Sequence, residues 1–308
     1  MKNIIKYILS FVLIILIILT PSIILEGART GLTLWYQALI PALLPYMILS
    51  NIVIKTGLSM ELSFLTYPLT RLLKINDKAS YCILSGIFFG YPACAANACT
   101  LVKENQLDRE TAVFCTCAFN NLSPGFIMGF FCIGTLNNTE IIPKIFALFY
   151  ISLLLSTISI RIFLFRNLQS VNYNNINKTT NEDKSILTNS IKTALVNISV
   201  LGGYVIIFSI LIKYLLKIPF NKIHLLAPVL EITSGITTIC STYSDIRIIL
   251  LIIMPMLSFG GISGIFQTIG IDSSGIIDTK KYIYSKVISG IISLIVTYLA
   301  VYVFKMVP

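Results

Sequence analysis

Charge is scarce in this chain: only 12% of its 308 residues are charged, about half the share of an ordinary soluble domain. A water-facing globule of this size is excluded. Histidine is scarcer still, with His224 alone, so a histidine-based metal site or catalytic triad has nothing to build on. No cysteine pair has CxxC spacing. Cys82, Cys94, Cys99, Cys115, Cys117 and Cys132 crowd the first half in apolar contexts, which reads as small core residues rather than metal ligands or disulfide partners. No nucleophile-base pair or metal spacing can be assembled, so neither an enzyme nor a bound cofactor is expected.

What the chain has in quantity is apolar sequence. Hydrophobic residues make up 56% and the mean hydropathy is +0.87. Segments long enough to cross ~30 Å of hydrocarbon are expected at 7–25, 34–54, 112–136, 141–165, 191–216, 246–271 and 282–304. No small-x-small cleavage site follows the first of them, so it reads as a retained helix rather than a signal peptide. The basic excess of +10 sits at the ends of these segments, where it orients the chain in a lipid bilayer; nucleic acid is not an expected partner.

Two of the apolar stretches are interrupted. GYPACAAN (90–97) and AFNNLSPGFIMG (118–129) place Gly, Pro, Asn and Ser where hydrocarbon offers no water to backbone groups. Such breaks are tolerated only where protein or a polar cavity satisfies the freed groups, and in transporters they line substrate sites. The chain also resembles itself. YMILSNIVIK (46–55) matches YVIIFSILIK (204–213), LSGI (84–87) matches TSGI (233–236), and FNNLSPGFIMG (119–129) matches FGGISGIFQTIG (259–270), in the same order.

These matches divide the chain into an N-terminal helix outside the repeat (1–30), a first repeat (31–166), a polar linker (167–189) and a second repeat (190–308). Flanking Arg and Lys place the linker and the N-terminus in the cytoplasm. Segment 80–101 then starts and ends on one face, so it and its counterpart 224–243 are expected to be re-entrant hairpins. The expected fold is an all-α polytopic membrane protein with about seven transmembrane helices, two re-entrant hairpins and an inverted-topology internal repeat. Lys213, Lys217, Lys222, Arg247 and Lys305 fall outside, against the positive-inside tendency. The first helix, outside the duplicated unit, is the candidate surface for a homo-oligomer.

Candidate site residues are the polar ones inside apolar stretches. Glu231 is foremost, because a carboxylate at membrane depth costs about 2.5 to 3.5 kcal/mol unless it is paired or hydrated. It is expected to bind a cation, accept a proton or contact a substrate hydroxyl; the alternatives are a cap on the helix from Ile232 or pairing with Lys222 or Arg247. Asn120, Asn121, Ser123, Thr233, Ser234, Ser263 and Gln267 complete the expected substrate-binding set. Gly90, Tyr91, Pro92, Pro124, Gly235, Gly260 and Gly261 are expected to shape the hairpin tips and helix breaks. Asn97 is second-rank, and Arg161 reads as a snorkelling interface residue.

Taken in order, the GYP hairpin, the FNNLSP break, the GGYVIIFS helix, the LEITSGI hairpin and the LSFGGIS break resemble the YlbJ-type sporulation integral membrane proteins of the nucleoside-recognition, or Gate, superfamily. The resemblance covers roughly residues 32–302. It implies an inverted-repeat fold in a bacterial cell membrane, with the outer forespore membrane as the more specific candidate, and a role in moving dipicolinate, a small planar dianion, toward the forespore. A nucleoside-type transporter and a non-transporting scaffold of spore maturation are the alternatives, and a coupling ion is a candidate partner. One departure stands out. Where the family tends to carry Gly, Ala and Lys after GYP, this chain has Cys94, Ala95 and Ala96.

Overall fold

The computed structural model describes residues 19–56, 61–168, 185–220, 222–272 and 274–306. Among them there is no strand. Helix α1 (Pro21–Leu34) passes through a π-helical turn (Trp35–Leu39) into α2 (Ile40–Lys55) without reversing. A short α3 (Tyr67–Leu73) precedes the paired helices α4 (Ala79–Phe89) and α5 (Ala93–Lys103). An interrupted element follows, α6 (Arg109–Phe119) and the π-helical α7 (Phe126–Thr135), then the long α8 (Ile142–Phe163). After the linker the order recurs: α9 (Ile186–Leu216), the pair α10 (Ala227–Leu230) and α11 (Ile232–Thr242), the interrupted α12 (Ile246–Phe259) and α13 (Gly261–Ile271), and α14 (Thr279–Tyr298), which ends in a π-helical turn to Val303.

Helix lengths separate crossings from hairpins. At 1.5 Å per residue, the 11-residue α4, α5 and α11 each reach about 16 Å, half of a ~30 Å hydrocarbon layer. They can enter and return but not cross. Among the described residues, five helical stretches are long and apolar enough to cross: 21–53, 142–163, 186–216, 246–271 and 279–303. The chain is an all-helical polytopic membrane protein. The interrupted α6–α7 element has two halves of 11 and 10 residues, each too short to cross alone.

One expected boundary is absent. A turn between helices 7–25 and 34–54 is expected at residues 26–33, yet they are helical throughout. Their polarity is absorbed sideways: Glu26 pairs with Lys213 at 2.7 Å, and Gly27 and Gly31 admit the backbone of α9, where a Cβ would stand 2.6 Å from the Ile210 Cα and 2.7 Å from the Ile206 Cα. Small residues four apart are packing surfaces in membrane helices. The expected 1–30 boundary therefore falls inside a helix, and most of the expected helix 7–25 lies outside the described residues, as does most of the linker. Helix α9 begins at Ile186, ahead of the expected start.

The two halves are inverted with respect to each other. Gly27 meets Ile210, Gly31 meets Ile206, the Trp35 Nε1 donates to the Ile198 carbonyl at 2.8 Å, and the Asn51 Nδ2 donates to the Ser190 carbonyl at 3.3 Å. One number rises as the other falls, so α1–α2 and α9, the equivalent helices of the two repeats, run antiparallel. The closing helices do the same: Phe165, just past α8, lies under the Lys281 ammonium at the start of α14, while Ile145 and Phe149 cluster with Ala300 and Val301 at its end. The Arg109 guanidinium donates to the Gly275 carbonyl at 2.8 Å and the Ile276 carbonyl at 3.1 Å, joining the 104–108 and 272–278 connections.

Candidate functional site: four helix breaks around a small cavity

All four interruptions meet in the interior. At the tip of the first hairpin Gly90 adopts φ +74°, which a side chain would oppose, and a Cβ there would stand 2.5 Å from the Ser123 amide. The next residue, Tyr91, donates its amide to the Asn121 carbonyl at 2.6 Å, and the Tyr91–Pro92 peptide is cis. This pins the first hairpin to the first break. The Tyr91 ring reaches across to the second break, 3.2 to 3.5 Å from where a Gly264 Cβ would be. Gly261 in turn faces the Glu231 and Ile232 backbone of the second hairpin. Gly235 lets that hairpin close, because a Cβ there would lie 2.1 Å from the Pro228 Cα.

Residues 120–123 leave the helix between α6 and α7, so the Asn120 carbonyl at the end of α6 has no helical donor. The orphaned carbonyl is satisfied by Lys286 of α14, whose ammonium lies 2.5 Å from the Asn120 O and 2.8 Å from the Asn121 Oδ1. Lys286 is 2% exposed and its ammonium also stands 5.3 Å from the centre of the Tyr282 ring. A cation at this point faces the C-terminal end of α6, where the helix dipole is negative. The Asn120 side chain is committed as well, with Nδ2 donating to the Thr268 Oγ1 at 2.9 Å and the Tyr282 hydroxyl at 3.0 Å.

Glu231 has the opposite placement. It is 2% exposed and caps α11, accepting from the Thr233 amide at 2.8 Å and the Ser234 amide at 2.6 Å. An acidic group at a helix N-terminus is electrostatically matched. Capping is one of the alternatives expected for it, and ion pairing another; Arg247 pairs instead with Asp245. The cap does not remove Glu231 from the interior: with Tyr91, Ser123, Thr233 and Gln267 it lines a cavity walled by Leu43, Met47, Phe88, Phe126 and Leu201. The space open to the centre of a water molecule is about 40 Å³, enough for roughly three waters. An organic ligand would require the walls to part. One turn along α11, Thr237 borders a larger open groove lined by Glu26, Arg29, Thr30, Thr33 and Gln37 of the α1 helix and its π-helical extension.

The expected binding set therefore divides. Ser123, Glu231, Thr233 and Gln267 line the cavity. Asn120 and Asn121 lie behind it with their amides spent on protein, Asn121 Nδ2 bonding the Ala118 carbonyl at 2.9 Å. Ser234 shares a 2.8 Å hydrogen bond with Ser209, and Ser263 is buried with its hydroxyl unpartnered. Gly90, Tyr91 and Pro92 form the turn of the first hairpin, Pro124, Gly260 and Gly261 border the two breaks, and Gly235 lies inside α11 rather than at its tip. Arg161 is away from the site and does more than snorkel: its guanidinium clamps the Leu73, Phe165 and Leu168 carbonyls. Sequence reasoning misses Lys286 and Tyr282. The available signal is a lysine inside the apolar helix α14, next to a stripe of buried hydroxyls, Ser285, Ser289, Ser293 and Thr297, that recurs at helical spacing. Most of the first-half cysteines, Cys82, Cys94, Cys99, Cys115 and Cys117, pack as buried free thiols in one core around the first hairpin and α6.

Fold and site together define a polytopic membrane protein of two inverted halves closing on a polar interior. The chain is similar to the sporulation integral membrane protein YlbJ of Bacillus subtilis (strain 168), at 24% identity over 309 aligned residues, covering 88% of this chain and 76% of that one. No family model matches the chain, and no solved structure matches it.

Proposed function

We propose that this chain is a sporulation-associated membrane transporter or facilitator of a small polar metabolite, with dipicolinate moved toward the forespore as the leading substrate. The observation that carries the reading is the convergence of four helix breaks from two inverted halves on a cavity containing the Glu231 carboxylate. Inverted halves let one site face either side by rocking about it. The groove along α1 approaches within one turn of α11 of that cavity, which supplies a polar approach from one side. The similarity to a sporulation membrane protein supports the cellular setting, and the Gate-type inverted repeat fits the antiparallel pairing of α1–α2 with α9. On this reading the chain has no enzymatic activity.

A nucleoside-type transporter is the variant with a different cargo. A scaffold of spore maturation is the reading favoured by a separate observation: the cavity holds only a few waters, and Asn120, Asn121 and Lys286 are satisfied by one another. Dipicolinate content of spores lacking the chain separates these. A strong deficit supports transport, and wild-type content removes the proposed substrate.

A further inference from the structure

The Lys286 ammonium lies against a broken membrane helix, where freed backbone carbonyls can coordinate a cation. Two oxygens converge on it, the Asn120 carbonyl left without a helical donor at the end of α6 and the Asn121 carboxamide oxygen, with the Tyr282 ring face on a third side. The remaining surroundings are buried and carry no carboxylate partner: among the described residues the ion pairs are Lys213–Glu26, Arg247–Asp245 and Lys281–Glu110. A buried cation without a carboxylate is held by dipoles. Here they are the C-terminal end of α6 and the two oxygens.

We propose that Lys286 is a tethered cation, filling with its side chain a site on the first helix break that would otherwise take a sodium or potassium ion. The second break needs no such group. Gly264 stands where Pro124 stands in the first repeat, and the helix there restarts directly after Gly260, so the Gly260 carbonyl keeps a helical donor. The asymmetry between repeats lies in the length of the break, four residues outside helix in the first (120–123) and Gly260 alone in the second. It also means that the closed state at this break draws on no alkali-metal gradient, whatever substrate the cavity admits.

The experiment reads thermal unfolding of the purified full chain in detergent, without substrate, in sodium, potassium or choline chloride at equal ionic strength. Wild type is expected to melt at the same temperature in all three. Lys286→Met removes the charge but keeps most of the volume, leaving two buried oxygens orphaned; it is expected to melt about 5 °C lower in choline and to recover part of that loss in sodium or potassium. Lys286→Arg, which keeps a cation, should stay closer to wild type than Lys286→Met. Wild-type melting that depends on sodium or potassium overturns the proposal. So does a Lys286→Met protein that is as stable as wild type in choline, or one that recovers in none of the salts, including by failing to fold in all of them. The readout contains no transport step, so the tethered cation can fail while the transport reading stands, and the reverse.

Discussion

Replacing Asn120 with alanine removes a carboxamide that ties the first break to α13 and α14, and leaves the Lys286 bond to the Asn120 backbone carbonyl in place. Two well-formed hydrogen bonds are lost, those from Nδ2 to Thr268 at 2.9 Å and to Tyr282 at 3.0 Å. The contact between Oδ1 and the Ala95 amide, at 3.4 Å, is too long to count for much. Inside membranes such bonds average about 0.6 kcal/mol each, and the space vacated by the carboxamide adds a penalty of similar size. The expected cost is about 2 kcal/mol, or a fall in melting temperature of roughly 4 to 8 °C. Thermal unfolding in detergent measures it. Tyr282→Phe removes one of the same partners, so the two substitutions should couple by about 0.5 kcal/mol or more in a double-mutant cycle. An Asn120→Ala protein melting within a degree of wild type, or strict additivity with Tyr282→Phe, would refute the assignment of Asn120 to the inter-repeat network and return it to ligand contact.

Other expectations follow from single contacts. Gly235→Ala places a Cβ 2.1 Å from the Pro228 Cα and should destabilise by about 2 to 3 kcal/mol; Gly203→Ala, with nothing within 4 Å, should stay within about 0.5 kcal/mol, and equal effects would discredit the hairpin geometry. Glu231→Gln keeps the shape but weakens the α11 cap, costing about 1 kcal/mol by thermal unfolding. No loss at all would mean that the carboxylate does not cap. Burial would raise the Asp272 carboxyl, but backbone amides led by that of Ile277 outweigh it and hold it below its ordinary value. A folded-state value below the unfolded one stabilises the 272–278 connection above about pH 4, and that contribution is lost as pH falls. Asp272→Asn should therefore flatten the acid side of the stability profile, and an unchanged slope would contradict this.

The breaks and the duplication are legible because Gly, Pro and Asn stand out against an Ile- and Leu-rich background, and because the repeats keep their order. Element boundaries are harder. Glu26 and Arg29 read as a loop since their polarity is met by Lys213 and a groove that only the folded pair of helices creates. Asn120 looks like a ligand residue for the same reason: its partners Thr268 and Tyr282 are 148 and 162 residues away in sequence and adjacent in space. Lys286 escapes notice because a single lysine barely lowers the hydropathy of α14, although the Asn-Asn-Leu-Ser-Pro break already announces carbonyls in need of donors. Glu231 is visible as an anomaly, and the structure gives it two tasks, a helix cap and a cavity wall.

Uptake of labelled dipicolinate into lipid vesicles containing the purified chain tests the central claim most directly. Transport through the Glu231 cavity predicts accumulation above that of empty vesicles, and its loss in a Glu231→Gln protein that remains folded. Wild-type vesicles indistinguishable from empty ones, or undiminished uptake by the variant, would contradict it.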